Sequence, residues 1–201
     1  MDRSPSADIE AIRQLVARYA FAIDSRDIVS LEKMFIPPAD VSENAFVTPW
    51  VPSEGQAATA RADSDPHQVA ERSTASEQWR TALASFGPSF HFLGQHIIDI
   101  KGDEATGIAY AVCTHAVEPG PRWITVQLVY EDVYAFWDNK WLFKKRDMHG
   151  LRAYESPPSI ESSAVLPFGP AHDAPDCWAT WRDFWTKEKR DDTHEKHSQI
   201  Y

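Results

Sequence analysis

The chain has 201 residues, 43% of them hydrophobic, with eight Trp and ten Phe, which suits one substantial core with appended tails better than two domains. A formal net charge of -10 and a pI near 5.2 argue against nucleic acids and anionic membranes as partners, because both need a concentrated positive surface. Cys113 and Cys177 belong to no Cys-x-x-Cys or Cys/His run, so neither a zinc site nor a disulfide framework is indicated, and with no apolar leader in Met1-Asp2-Arg3-Ser4-Pro5 the expectation is a soluble cytoplasmic protein.

Ile9, Ile12, Leu15, Val16, Tyr19 and Ile23 recur at helical spacing after Ser4-Pro5, which predicts an amphipathic helix ending near Asp24. A second short helix carries Ile28, Leu31, Met34 and Phe35 until Pro37-Pro38 stops it. Val41 to Val51 has room for a strand limited by Pro49 and Pro52, and Ser53 to Val69, rich in Ala, Ser, Asp, Gly and Pro, reads as a loop and a lid candidate. A third helix presents Trp79, Leu83 and Phe86 and stops at Gly87-Pro88.

Beyond Pro88 the pattern becomes strands: Ser89 to Lys101, Ala105 to Val117, Trp123 to Trp137 and Trp141 to Met148, joined by short turns as in an antiparallel meander. Trp123, Tyr134 and Phe136 are read as outward-facing aromatics available for a homodimer. A last amphipathic helix over 176–188 clusters Trp178, Trp181, Phe184 and Trp185. Helices followed by a long curved sheet specify an α+β domain whose sheet wraps over the helices and encloses a pocket.

Three histidines deserve chemical scrutiny. On the second strand Ala109, Ala111, Cys113 and His115 share one face; small side chains leading to an imidazole leave room for a ligand, so His115 is placed inward, against the alternative of a half-buried histidine bonded to a carbonyl. His91 alternates with Phe90 and Phe92, so the three rings cannot all face one way. His96 points away from His91 on a regular strand and is read as structural unless a bulge at Gly94 re-aims it. Asp24, at a helix C-terminus, is electrostatically disfavoured there unless it has a function or a cationic partner.

The run from Tyr19 to Asp27, then His91-Phe92-Leu93-Gly94, Gly102 to Gly107, His115 and Asp138-Asn139-Lys140-Trp141, resembles the SnoaL-like branch of the nuclear-transport-factor-2-like superfamily, and within it the scytalone dehydratase type. The resemblance spans roughly residues 5–150, leaving 151–201 as a C-terminal extension. It implies a conical α+β barrel, its curved antiparallel sheet wrapped over N-terminal helices around a deep apolar pocket, with the extra C-terminal helix outside the family pattern. It places Asp24 on the acid that orients a histidine, His91 on that histidine, His115 on a second pocket histidine and Tyr19 on a pocket tyrosine. Ile23 stands where scytalone dehydratase has a water-holding tyrosine, and Tyr130 about where it has an asparagine, so a different substrate is implied.

The expectation is therefore a dehydratase, isomerase or cyclase that needs no metal and no cofactor and acts on a small apolar hydroxy-ketone or polyketide-like metabolite. Asp24, His91 and His115 carry the chemistry, Tyr19 and Tyr130 position polar groups, and Trp50, Trp123 and Phe92 form apolar walls. The alternative is a non-catalytic ligand-binding or assembly module of the same fold.

Overall fold

The computed structural model describes residues 3–37, 75–117, 122–156 and 175–187. The strand expected at Val41–Val51, the wall residue Trp50 and the loop at 53–69 lie outside them.

Helix α1 (Pro5–Asp24) starts behind an extended Ser4, with Pro5 in its first turn. Its inward stripe, Ile12, Leu15, Val16, Tyr19 and Ile23, is buried. The indole of Trp141 donates to the Asp8 carboxylate at 2.8 Å, pinning the start of the helix to the sheet. At the far end Arg26 adopts a left-handed φ of 58° and turns the chain into the short α2 (Ile28–Glu32). The helical pattern that ran on to Phe35 is cut short: Met34 and Ile36 instead bond to Phe143 as a parallel bridge. Pro37 disfavours helical geometry at the residue before it, which leaves Ile36 extended. Helix α3 (Ala75–Ala84) ends ahead of Gly87-Pro88.

Strands β1 (Ser89–Lys101), β2 (Glu104–Val117), β3 (Arg122–Trp137) and β4 (Lys140–Ser156) form a curved antiparallel sheet in the order β1-β2-β3-β4, with the N-terminal helices on its inner face. The β3–β4 hairpin turns through Asp138 and Asn139, both left-handed, whose twist matches the flanking strands. β4 is longer than its hydrophobic pattern announced and passes residue 150, so the position taken as the end of the domain falls within a strand.

Two inner-face assignments change. Tyr134, read as outward-facing, is wholly buried, because it shares the even-numbered register of Leu128 and Tyr130, which face the helices. Phe136 is half-buried, stacked under Arg3 at 3.6 Å. The outer face instead exposes Phe90, Phe92, Ile97, Tyr110 and Leu151.

The second core element is ionic. Arg146 donates to both oxygens of Asp132 at 2.7 Å, with both side chains essentially inaccessible to solvent. The guanidinium lies 4.1–4.3 Å from the ring centres of Tyr19, Tyr130 and Phe143. Such a pair is costly to desolvate and costlier to break, because the surviving charge is stranded in a low-dielectric interior. Asp132→Ala is expected to destabilise the fold by about 3–5 kcal/mol in urea unfolding. Gly107→Ala is expected to lose about 1–3 kcal/mol, because a Cβ there would lie 2.8 Å from Tyr134 and 2.9 Å from His96.

Candidate active site

Asp24 is the last residue of α1, and its carboxylate reaches the start of β1. Oδ1 accepts from the Ser89 hydroxyl at 2.8 Å and lies 2.7 Å from Nδ1 of His91, while Oδ2 accepts the backbone N–H of His91 at 2.9 Å. That N–H is free for it because β1 is an edge strand among the described residues. Contact with the carboxylate keeps a proton on Nδ1, so in the neutral ring the lone pair sits on Nε2. The two side chains are 10% and 7% exposed, which removes most solvent screening from their interaction.

A carboxylate at a helix C-terminus needs compensation. Arg26 supplies it: the left-handed turn folds its guanidinium back to donate to the carbonyls of Ile23, Phe86 and Gly87 and to the Ser89 hydroxyl, at 2.6–3.1 Å. Ser89 thus relays from the cation to the anion. Burial lowers Arg26 to about 10, against the opposing pull of Asp24. The C-terminal helix α4, residues 179–187, closes over this support, with Trp181 4.8 Å from the Arg26 guanidinium and Trp178 in edge contact with Phe21.

Across the β1–β2 register His91 pairs with Cys113, and His115 follows on the same inner face. The rings of His91 and His115 are 5.4 Å apart and nearly perpendicular, and Phe86 packs on His115 at 5.0 Å. The two imidazoles titrate in opposite directions. Burial pulls His91 down, but the Asp24 carboxylate and the Cys113 sulfur outweigh it and raise the ring to about 9. Burial, reinforced by His91 and Arg26, depresses His115 to about 3. Its Nδ1 is buried without a hydrogen-bond partner among the described residues.

Tyr19 and Tyr130 are buried in edge contact at 6.2 Å, beside Arg146. Burial pushes Tyr19 up to about 12 and drives Tyr130 upward as well. Cys113 lies within hydrogen-bonding reach of both His91 and Tyr130, so it joins the histidine pair to the tyrosine wall. Phe92 does not join them: it is 61% exposed on the outer sheet face, where strand alternation from His91 sends it. Trp123 is half-buried.

His96 is re-aimed. The pairings Leu93↔Ala111 and His96↔Ala109 leave one extra residue on β1, and this bulge brings His96 to the same face as His91. Its Nε2 lies 3.1 Å from the Tyr134 hydroxyl, which donates to Asp132 at 2.6 Å. Burial lowers its pKa. A groove of about 510 Å³ between α1 and β1 opens beside it, lined by Arg13, Val16, Leu93 and Gln95 among others. Ser89, Arg26 and Asp132 were not singled out in the sequence for any role in the site, although Asp132 stands out as a carboxylate between two inward tyrosines.

Residues 4–147 match the family model of the SnoaL-like domain. The chain belongs to that family. Solved structures similar to this SnoaL-like protein include one described as a candidate scytalone dehydratase from Novosphingobium aromaticivorans, 16% identical, covering 77% of this chain and 91% of that one with a TM-score of 0.54. A protein of the same organism described as a candidate aromatic ring hydroxylase is 23% identical, covers 77% and 96% of the two chains, and gives a TM-score of 0.56. The hexachlorocyclohexane dehydrochlorinase LinA-type3 of Novosphingobium barchaimii is 14% identical, with 82% and 95% covered and a TM-score of 0.52. No curated protein matches the chain. These likenesses establish the nuclear-transport-factor-2-like architecture, here with an added C-terminal helix.

The opposed histidines set a stability profile. His91, raised from 6.5 to about 9, contributes stability that is full below pH 6.5 and lost as pH rises through about 9; His115, lowered to about 3, makes the fold less stable as pH falls below 6.5. Thermal melts from pH 5 to pH 10 should show both limbs, and Asp24→Asn should flatten the alkaline one.

Proposed function

We propose that this protein is a cofactor-independent acid/base enzyme, a dehydratase, isomerase or cyclase, acting on a small apolar hydroxy-ketone or polyketide-like metabolite. The observation that carries this is the contact of 2.7 Å between the buried Asp24 carboxylate and Nδ1 of His91. The same fold also serves catalysts of elimination chemistry among its structural neighbours, which include the dehydrochlorinase.

In the proposed reaction Nε2 of neutral His91 takes a proton from carbon next to the substrate carbonyl. Asp24 holds the ring and stabilises the imidazolium that forms. Neutral His115 donates an N–H hydrogen bond to the carbonyl oxygen as it becomes an enolate oxygen. Its depressed pKa suits this role better than that of an imidazolium acid at neutral pH. In a dehydration, the enolate then re-forms the carbonyl and expels the β-hydroxyl, which leaves as water with the proton returned by His91. Without a leaving group, return of that proton to another carbon gives isomerisation. Tyr19 and Tyr130 form the polar back wall, held against Arg146.

A general base of this kind contributes about 10²- to 10⁴-fold to rate. His91→Ala should lose that factor in kcat on a cognate hydroxy-ketone while retaining a native circular dichroism spectrum, and Asp24→Asn should lose a smaller one. Wild-type turnover by both variants would refute the dyad. Because the base must be unprotonated, kcat/KM should rise with pH to a plateau above about 9; a profile falling through that pH would instead make His91 the acid.

We also propose a homodimer that pairs through the outer sheet face, where Phe90, Phe92, Ile97, Tyr110 and Leu151 are exposed together. Light scattering should give twice the 22.8 kDa chain mass, and Tyr110→Arg should give the monomer. The free state of Cys113 and Cys177 supports a reducing, cytoplasmic setting.

A further inference from the structure

His91, Cys113 and His115 together form a cluster that the proton-transfer scheme uses only in part. One donor atom from each lies within 4.8 Å of the other two. We propose that this cluster is a binding site for a thiophilic divalent metal ion of the zinc type, with His91 Nε2, the Cys113 thiolate and His115 as ligands, leaving the fourth position for a ligand from outside the chain.

Three observations support it. The donors are the nitrogen and sulfur types that zinc prefers, and two histidines with one cysteine is a known ligand number for a site that keeps an open position. Tetrahedral coordination at zinc–nitrogen and zinc–sulfur bond lengths needs donors roughly 3.3–3.6 Å apart, so side-chain torsions must close the gap by about 1 Å. The register holds the backbone for this, because His91 faces Cys113 directly across β1 and β2 and His115 is two residues further along the same face. Finally, His91 already donates its other ring nitrogen to a carboxylate, the outer partner that metal-bound histidines generally have.

Charge is close to balanced: the Cys113 thiolate and the Asp24 carboxylate offset a divalent ion, and Arg26, held to that carboxylate through Ser89, leaves one positive charge over. The metal occupies the lone pair of His91 that the proposed reaction needs. Metal binding and proton abstraction are therefore mutually exclusive, and the bound protein is an inactive state.

The binding claim does not rest on the proposed function and is tested without substrate. Protein treated with a chelator and then freed of it is titrated at pH 8 with Co²⁺, followed by Zn²⁺. The expected result is a near-ultraviolet thiolate-to-cobalt absorption, present in wild type and in Cys177→Ala, absent in Cys113→Ala and in the closer-sized Cys113→Ser, and abolished by zinc. Zinc affinity should fall about 10- to 100-fold in Asp24→Asn through loss of the outer partner, and at least as far in His115→Ala. No absorption in wild type at saturating cobalt, its persistence in a folded Cys113 variant, or zinc affinity indifferent to His115→Ala would overturn the site. A protein that binds cobalt this way but turns over no hydroxy-ketone would refute only the proposed function.

Discussion

One carboxylate ties the helical layer to the sheet. Asp24 accepts hydrogen bonds from the Ser89 side chain, the His91 backbone and the His91 ring, so the end of α1 and the edge of β1 cannot move independently. The anion sits at the negative end of a helix, and it is tolerated because Arg26 reaches the same corner, held by the carbonyls of Ile23, Phe86 and Gly87 and bridged to the carboxylate by Ser89. Structural and chemical roles coincide here, because the contacts that fix the helix also fix the orientation and tautomer of the imidazole.

The surrounding interior is polarised in a graded way. Arg146 and Asp132 form a desolvated pair roofed by three aromatic rings, with Tyr134 and His96 continuing the network toward the groove beside the β1 bulge. Cys113 separates this network from the Asp24–His91 pair and touches both. Arg146 and Asp132 neutralise each other and Arg26 reaches Asp24 through Ser89, so the field across the histidines comes from fixed partners in place of mobile solvent. That is why two imidazoles 5.4 Å apart prefer different protonation states.

The C-terminal helix is part of this arrangement. Trp181 covers the Arg26 guanidinium and Phe184 is buried in the main core near Arg80. Its aromatic face is thus divided between the corner that supports Asp24 and the main core.

Much was legible from local pattern. Helical periodicity with Pro5 and the break after Asp24 gave α1, and period-two alternation with short turns gave the four-stranded meander, because both depend on residues close in sequence. The same alternation puts His115, Cys113 and Ala111 on one face of β2, and on β3 it puts Tyr134 on the buried side with Leu128 and Tyr130. What sequence could not settle depends on long-range register. Whether His96 faced in or out turned on a single extra residue between Leu93 and Ala109's partner, since one residue inverts every side chain beyond it. The partners of Asp24 lie some 65–67 positions away, and Arg146 meets Asp132 only because β3 and β4 pair as they do. The chain alone determined which faces are apolar and which ionisable groups exist; folding decided which of those groups meet away from water, where contact is strong enough to shift a proton.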